Sequence, residues 1–197
     1  MSSAIRLAEA HDGDAIAAIY HPSVVSAVTS FEVEAPNGKD MSNRVAALLP
    51  YAPWIVAEQD GVVLGYAYAS KHHERAAYQW SVDVSVYIDR AHHRRGVGKA
   101  LYTSLFAMLR MQGFYNAYAG ITLPNPASVG LHESFGFQPV GVYHSVGFKF
   151  GAWHDVGWWQ MALRERRGDP VAPLSFAEAR ALPGWDAALR AGLNLLR

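Results

Sequence analysis

Apolar positions change their spacing twice in the middle of the chain, and the change predicts a strand, a helix and a second strand. The stretch Tyr78 to Ile88 becomes β-branched or aromatic at most of its later positions, which is typical of a strand. Leu101 and Leu105 then recur at helical spacing, and Gly113 marks the end of that helix. The pattern predicts a second strand over Tyr115 to Leu123.

The same reasoning predicts the remaining elements on both sides of this unit. Before it we expect a strand over Ile5 to Ala8, a helix begun by the carboxylates around Asp12, a helix from Asp40 or Ser42 to Leu49, and a hairpin of Trp54 to Glu58 with Val62 to Ala69. After it we expect a helix from the Pro124 break through Phe135 and two last strands, Phe137 to Tyr143 and Trp153 to Leu163, joined by His144 to Ala152.

The last thirty residues differ in composition from the rest. They contain three prolines and few aromatic residues, with a capping-box pattern at Ser175 and Glu178 and a break at Pro183-Gly184 between two short helical pieces. We therefore predict an N-terminal domain over residues 1–167 and a helical extension over residues 168–197. The pattern assigns no chemistry to the extension.

Composition excludes several classes of function. The 197 residues are 51% hydrophobic and 12% aromatic, enough for one substantial core. Seventeen basic residues balance seventeen acidic ones, so neither nucleic acid nor an anionic membrane is expected as a partner. The chain has no cysteine, which excludes disulfides, cysteine-based zinc sites and a thiol nucleophile. With no apolar signal region and no long apolar stretch, we expect a cytoplasmic protein.

A glycine turn joins the central strand to the helix that follows it. Gly96 and Gly98 lie one residue apart and are flanked by Arg94, Arg95 and Lys99. Such a turn brings bare backbone N–H groups close to a ligand at the positive end of the helix dipole, where a phosphate is the natural occupant. The spacing is neither that of a dinucleotide-binding turn nor that of a P-loop.

The turn, read as His93-Arg94-Arg95-Gly96-Val97-Gly98, resembles the acetyl-CoA-binding motif Arg/Gln-x-x-Gly-x-Gly/Ala of the GCN5-related N-acetyltransferases, with His93 at the Arg/Gln position. From Ile5 to Gln160 the chain is further similar to the phosphinothricin / methionine sulfoximine N-acetyltransferase branch of that superfamily. The matching segments begin at Thr29, Pro53, Gly65, Arg75, Ser85, Leu123, Leu131 and Val146, the last being the run Val146-Gly147-Phe148-Lys149-Phe150-Gly151-Ala152-Trp153-His154-Asp155-Val156-Gly157.

The resemblance implies a fold, a co-substrate and a partner. The fold is a mixed, mostly antiparallel α/β sheet flanked by helices and splayed near Val86 to admit acetyl-CoA. The expected assembly is a homodimer, and the acetyl group passes directly to a small-molecule amine without an acyl-enzyme. The residues implied in acetyl-CoA binding are Val86, Tyr87, Ile88, Arg94, Arg95, Gly96, Val97, Gly98, Lys99, Asn125 and Ser128. From the residues alone there is an alternative interpretation, in which Asn125 is an ordinary turn residue and Ser128 an exposed helix residue.

Two residues are implied in proton transfer. Asp83, where the family usually has Glu, would accept the proton of the attacking amine directly or through one water. The alternative to this catalytic role is that Asp83 is an ordinary solvent-facing carboxylate on a strand. His132 would donate a proton to the departing CoA sulfur or assist Asp83, and its alternative is a packed or surface histidine.

A zwitterionic acceptor needs a cationic partner for its carboxylate, and Arg75 matches the carboxylate-binding Arg of the branch. His73 stands two residues earlier, where Arg or Lys is common. Thr29, Phe31, Tyr87 and Lys149 are candidates to line the rest of the acceptor pocket, with ordinary packing as their alternative. The nine histidines show no metal-ligand spacing, so no metal site is expected.

These observations predict an N-acetyltransferase that acts on the α-amine of a small amino acid or a glutamate analogue. Two alternatives stay open at this point. One is an acetyltransferase of the same fold for another amine, such as a polyamine or a protein N-terminus. The other is a CoA-binding module without activity, which the departures at Asp83, His73 and His93 would fit.

Overall fold

The computed structural model describes residues 2–197, which form one sheet and six α-helices. The strands are β1 (Ser3–Leu7), β2 (Trp54–Gln59), β3 (Val62–Lys71), β4 (Ser81–Ile88), β5 (Asn116–Leu123), β6 (Gln138–Lys149) and β7 (Ala152–Ala162). The helices are α1 (Gly13–Val25), α2 (Gly38–Leu48), α3 (Val97–Gln112), α4 (Pro126–Glu133), α5 (Phe176–Arg180) and α6 (Trp185–Leu189). The sheet order is β1-β2-β3-β4-β5-β7-β6. Only the β4–β5 pair is parallel, which confirms the predicted mixed, mostly antiparallel α/β sheet.

Helices cover both faces of the sheet. On one face α3 buries Leu101, Leu105 and Phe106 in a cluster that includes Val84 of β4. On the other face α1 and α2 pack over aromatic residues of β2 and β3, among them Tyr66. Because successive side chains of a strand point to opposite faces, β4 directs its odd-numbered residues toward the α1–α2 side.

The parallel pair of strands is short, and its end sets the shape of the site. β4 and β5 pair only at three positions, the last being Asp83 with Tyr118. Beyond them β4 stays paired with β3 as far as Ile88, and β5 stays paired with β7 as far as Leu123. The sheet therefore divides into two blocks that separate after Asp83, which confirms the predicted splay near Val86.

Two predicted strands have different bounds in the structure. The strand expected from Tyr78 begins at Ser81, because Ala76–Tyr78 forms a 3-10 turn in which the Tyr78 N–H donates to the Arg75 carbonyl over 2.9 Å. The connection expected over His144 to Ala152 is strand as far as Lys149, because Phe150 and Gly151 have φ of 51° and 77°. Two residues with positive φ suit a tight hairpin turn.

The C-terminal segment packs along α3. Ser175 and Glu178 form the predicted capping box at the start of α5. The Gly192 N–H donates to the buried Ser104 hydroxyl over 3.1 Å. Close packing follows at the next turn, where a Cβ built on Gly96 would lie 2.3 Å from the Leu195 carbonyl oxygen. The extension therefore reaches the glycine turn itself.

Two general features bear on function. None of the helices within residues 2–197 is long and apolar enough to cross a membrane. The same residues contain no group of three His, Asp or Glu side chains arranged to hold a metal ion.

We expect Gly192→Ala to detach the C-terminal segment, because the new Cβ would lie 1.9 Å from the Ala100 carbonyl oxygen. The cost of such overpacking is about 1–3 kcal/mol. Hydrogen exchange should show faster exchange over residues 185–197 with little change in the sheet. Gly141→Ala is the control, since its Cβ would meet nothing within 4 Å. Unchanged exchange in Gly192→Ala would contradict this packing.

Candidate functional site

The glycine turn presents free backbone donors to solvent. Gly96 has φ of +83°, a left-handed conformation that favours glycine, and α3 begins directly after it. The first backbone amide to bond within the helix is that of Ala100, which donates to the Gly96 carbonyl over 2.9 Å. The amides of Val97, Gly98 and Lys99 are therefore available to an anion, with the helix dipole oriented in its favour.

A cavity of about 870 Å³ extends from this turn into the gap between β4 and β5. It has the volume of a small-molecule site, and its lining mixes apolar and polar groups. Ten of the residues predicted to bind acetyl-CoA line it: Val86, Tyr87, Ile88, Arg94, Gly96, Val97, Gly98, Lys99, Asn125 and Ser128. Arg95 does not line it and is exposed beside the turn.

The β4 edge of the cavity carries unpaired backbone groups. From Val84 onward β4 has a partner strand on the β3 side only. Apart from the Ile88 carbonyl, which lies 3.1 Å from His93 Nε2, its N–H and C=O groups on the cavity side can therefore pair with an extended ligand that carries amides, as an added strand would. The pantetheine arm of CoA has this chemistry, and the residues fit it.

Asp83 lies at the apex of the gap and is bonded to a histidine that the sequence motifs did not single out. The Nδ1 of His72 is 2.7 Å from Asp83 Oδ1, and the two side chains are 24% and 31% exposed. The His72 ring is stacked on Tyr118 with centroids 4.2 Å apart. Burial raises the pKa of the Asp83 carboxyl, and the hydrogen bond from His72 opposes that rise.

His132 is buried on α4 and lines the cavity, but both of its ring nitrogens are occupied. Nδ1 lies 2.8 Å from the Ser128 carbonyl oxygen, which only accepts, so Nδ1 carries the hydrogen. Nε2 then accepts the hydroxyl hydrogen of Tyr102 over 2.9 Å. Burial lowers the pKa of His132, which favours this neutral form. The structure thus joins His132 to Tyr102, and Asp83 to His72.

The predicted acceptor residues lie in two separate places. Thr29 and Tyr87 line the cavity. Close to Thr29, Phe31 packs against Gly147 of the β6–β7 hairpin, and the buried Lys149 ammonium donates to the Ser30 carbonyl over 2.6 Å.

His73 and Arg75 instead lie on the exposed loop between β3 and β4. The His73 ring is stacked on Tyr78 with centroids 4.7 Å apart, and its Nδ1 accepts the Arg75 backbone N–H. No hydrogen bond or ion pair within residues 2–197 engages the Arg75 guanidinium.

Sequence reasoning missed three contributions to this site. Tyr102 lies four residues after Gly98 on α3, and that spacing was a usable signal because it places both on one helix face. His72 gave no signal, since it belongs to no spacing pattern. Asn194, Leu195 and Arg197 also line the cavity, although the extension was expected to have no chemistry. Only the docking of the chain end on α3 brings them there.

Comparison with known proteins agrees with this geometry. Residues 5–158 match the family model described as acetyltransferase (GNAT) domain. The phosphinothricin N-acetyltransferase of Streptomyces viridochromogenes is 40% identical over 156 residues, which cover 79% of this chain and 85% of that protein. The L-methionine sulfoximine/L-methionine sulfone acetyltransferase of Salmonella typhimurium is 35% identical over 82% of this chain and 95% of its own length.

A solved structure agrees as well. The phosphinothricin acetyltransferase of Sinorhizobium meliloti, determined in complex with AcCoA, superposes with a TM-score of 0.81 and 34% identity. The match covers 87% of this chain and 94% of that one. On its sequence, its fold and the cavity at the splay, the chain belongs to the GNAT acetyltransferase family.

Proposed function

We propose that this chain transfers the acetyl group of acetyl-CoA to the α-amine of a small amino acid or glutamate analogue, such as phosphinothricin or methionine sulfoximine. As a GNAT family member it is an acetyl-CoA-dependent N-acetyltransferase. The observation that carries the proposal is the cavity that opens at Asp83 and ends at the glycine turn. The names of the relatives support this acceptor class.

Acetyl-CoA supplies a thioester carbonyl to which an amine can add. The chain holds it by three sets of groups. The amides of Val97, Gly98 and Lys99, with Arg94, face the pyrophosphate. The backbone of Val86 to Ile88 pairs with pantetheine, and the Val86 N–H stabilises the oxyanion of the tetrahedral intermediate. Asn125 and Ser128 contact pantetheine from the opposite side.

Proton transfer is assigned to two groups, one at the apex of the splay and one in the cavity. The base is centred on Asp83 at the apex of the splay, close to where the thioester must lie. The proton for the departing sulfur passes by way of the Tyr102 hydroxyl, which His132 Nε2 holds in place as the hydrogen-bond acceptor, and both residues line the cavity.

The acceptor is held by cationic and aromatic groups. Arg75 binds the carboxylate, and its free guanidinium supports this role. His73 is the second contact. Thr29, Phe31, Tyr87 and Lys149 are proposed to surround the remainder of the acceptor.

We further propose that residues 1–167 form the catalytic domain and that residues 168–197 brace its donor site. The contacts of Gly192 with Ser104 and of Leu195 with Gly96 support this division. The extension would keep the glycine turn rigid rather than fold separately.

The acceptor class is tested with the purified protein, acetyl-CoA and a panel of amines, with free thiol measured over time. We expect release of CoA with phosphinothricin, methionine sulfoximine or related α-amino acids. Decarboxylated analogues of the same amines serve as controls and should react poorly. Release with polyamines or peptide N-termini alone would contradict the proposed acceptor.

Arg75→Ala should raise KM for a carboxylate-bearing acceptor by about tenfold or more, since a charge-assisted contact contributes about 1.5–3 kcal/mol. KM for acetyl-CoA should not change. Arg180→Ala is the control, because Arg180 is an exposed arginine on α5, away from the cavity lining. An unchanged acceptor KM in Arg75→Ala would remove Arg75 from the site.

We also propose that the chain forms a homodimer through the β6–β7 hairpin. β6 is an edge strand, and large apolar side chains stand exposed on this hairpin: Val142, Tyr143, Val146, Phe148, Phe150 and Trp153. Phe148 and Trp153 are 59% and 65% exposed and contact each other across the strand pair. An apolar patch on an unprotected edge is typical of a surface that a second copy covers.

Sedimentation velocity should show a dimer at micromolar concentration. The double variant Phe148→Glu/Trp153→Glu should sediment as a monomer, because charged side chains cannot be buried there without partners. Substituting two exposed apolar residues elsewhere, Val33→Glu and Val171→Glu, should leave the dimer intact. A monomeric wild-type protein would overturn this assembly.

A further inference from the structure

We infer that His72 is the group that takes the proton from the acceptor amine, and that Asp83 orients it. This inference rests on the proposed function, since it needs an amine acceptor in the cavity. It goes further by naming the base as the imidazole rather than the carboxylate.

The hydrogen bond between the two side chains fixes the state of the histidine ring. An ionised Asp83 can only accept, so the hydrogen of the 2.7 Å contact belongs to His72 Nδ1. In neutral imidazole the other nitrogen, Nε2, then carries the free lone pair. No hydrogen bond within residues 2–197 involves Nε2. A carboxylate that orients an imidazole, which in turn accepts a proton, is the arrangement that many hydrolases use.

Aromatic contacts hold the ring at the apex of the splay. The His72 and Tyr118 rings are stacked at an interplanar angle of 14°, and the Trp158 ring lies edge-on to His72 at 6.1 Å. Asp83 and Tyr118 are the last paired residues of β4 and β5. The imidazole therefore touches both strands where they separate, and the cavity lining begins one residue later, at Val84 and Ala119.

Of the charged side chains that the structure describes around His72, only Asp83 forms an ion pair with it. Besides Asp83, the ionisable side chains beside the ring are Tyr78 and Tyr118, which contact it, and Lys71 and His73, which adjoin it in sequence. Glu74 is paired with Lys71 at 3.1 Å, and within residues 2–197 the only ion pair of His72 is with Asp83. No second carboxylate in the described chain competes for the ring.

The chemistry favours imidazole over carboxylate for this step. In small peptides imidazole titrates near pH ~6.5 and an aspartate carboxyl near ~3.9, so imidazole is the stronger proton acceptor. One proton of the substrate ammonium passes to His72 Nε2, and the free amine forms the C–N bond. The C–S bond then breaks, the second amine proton passes to the CoA sulfur, and the imidazolium releases its proton to solvent.

The test compares His72→Phe, which keeps a ring to stack on Tyr118, with Asp83→Asn. His72→Phe should lower kcat/KM by about 10²-fold or more, with the Kd for acetyl-CoA unchanged by calorimetry. In wild-type protein the logarithm of kcat/KM should rise with pH with unit slope at low pH, because the base must be unprotonated, and this rise should be absent in His72→Phe. Added imidazole should restore part of the activity of His72→Ala.

A measurement without any substrate examines the pair itself. The ¹⁵N spectrum of the free protein should show His72 with hydrogen on Nδ1 and none on Nε2, and Asp83→Asn should change that distribution. His11→Phe is the control, since His11 is 68% exposed beside another aspartate, Asp12. Its kcat/KM should equal that of the wild type.

The outcomes distinguish a failure of the proposed function from a failure of the role of His72 alone. If wild-type protein releases no CoA with any amine, the proposed function fails. If wild-type protein is active, and His72→Phe has the same kcat/KM as wild type and the same rise of kcat/KM with pH, only the role of His72 fails. Hydrogen on Nε2 in the free protein would equally overturn that role.

Discussion

The parting of β4 from β5 after Asp83 and Tyr118 is the constraint on which the rest of the site depends. Each strand keeps a full antiparallel ladder on its outer side, so the separation leaves both strands fixed. The inner edges are left with backbone groups that no neighbouring strand pairs. A ligand with amides of its own can satisfy them. The same separation lets the glycine turn at the start of α3 face the open end of the gap.

The residues around the apex follow from this geometry. A parallel pair aligns its strands at a common edge, so the last paired residues lie side by side, and His72 can touch Asp83 and Tyr118 together. On the opposite face, α3 carries Tyr102 to the cavity, and α4 brings His132 to it. The two histidines therefore occupy distinct environments. His132 has both nitrogens occupied, while His72 has one bonded to a carboxylate.

The sequence predicted much of this, and its failures have physical causes. The glycine turn, the cavity-lining part of β4 and the order of the elements follow from local spacing, which is why they could be predicted. The start of the splay could not, because it depends on where two strands distant in sequence stop pairing. The strand itself was correctly predicted, but its predicted start at Tyr78 was wrong because aromatic residues in a 3-10 turn have the same local pattern as a strand. His72 and Leu195 reach the site only through tertiary packing.

The position of the C-terminal segment shows how the donor site can be stabilised from outside the family domain. The family match ends at residue 158, yet the segment beyond it contacts α3 and the glycine turn. Ordering a left-handed glycine at the start of a helix costs conformational entropy, and contacts with the neighbouring backbone offset part of that cost. Leu195 packs there with its carbonyl, so any side chain at position 96 would displace both the turn and the extension. The glycine is therefore required twice, once for its own conformation and once for the chain that lies on it.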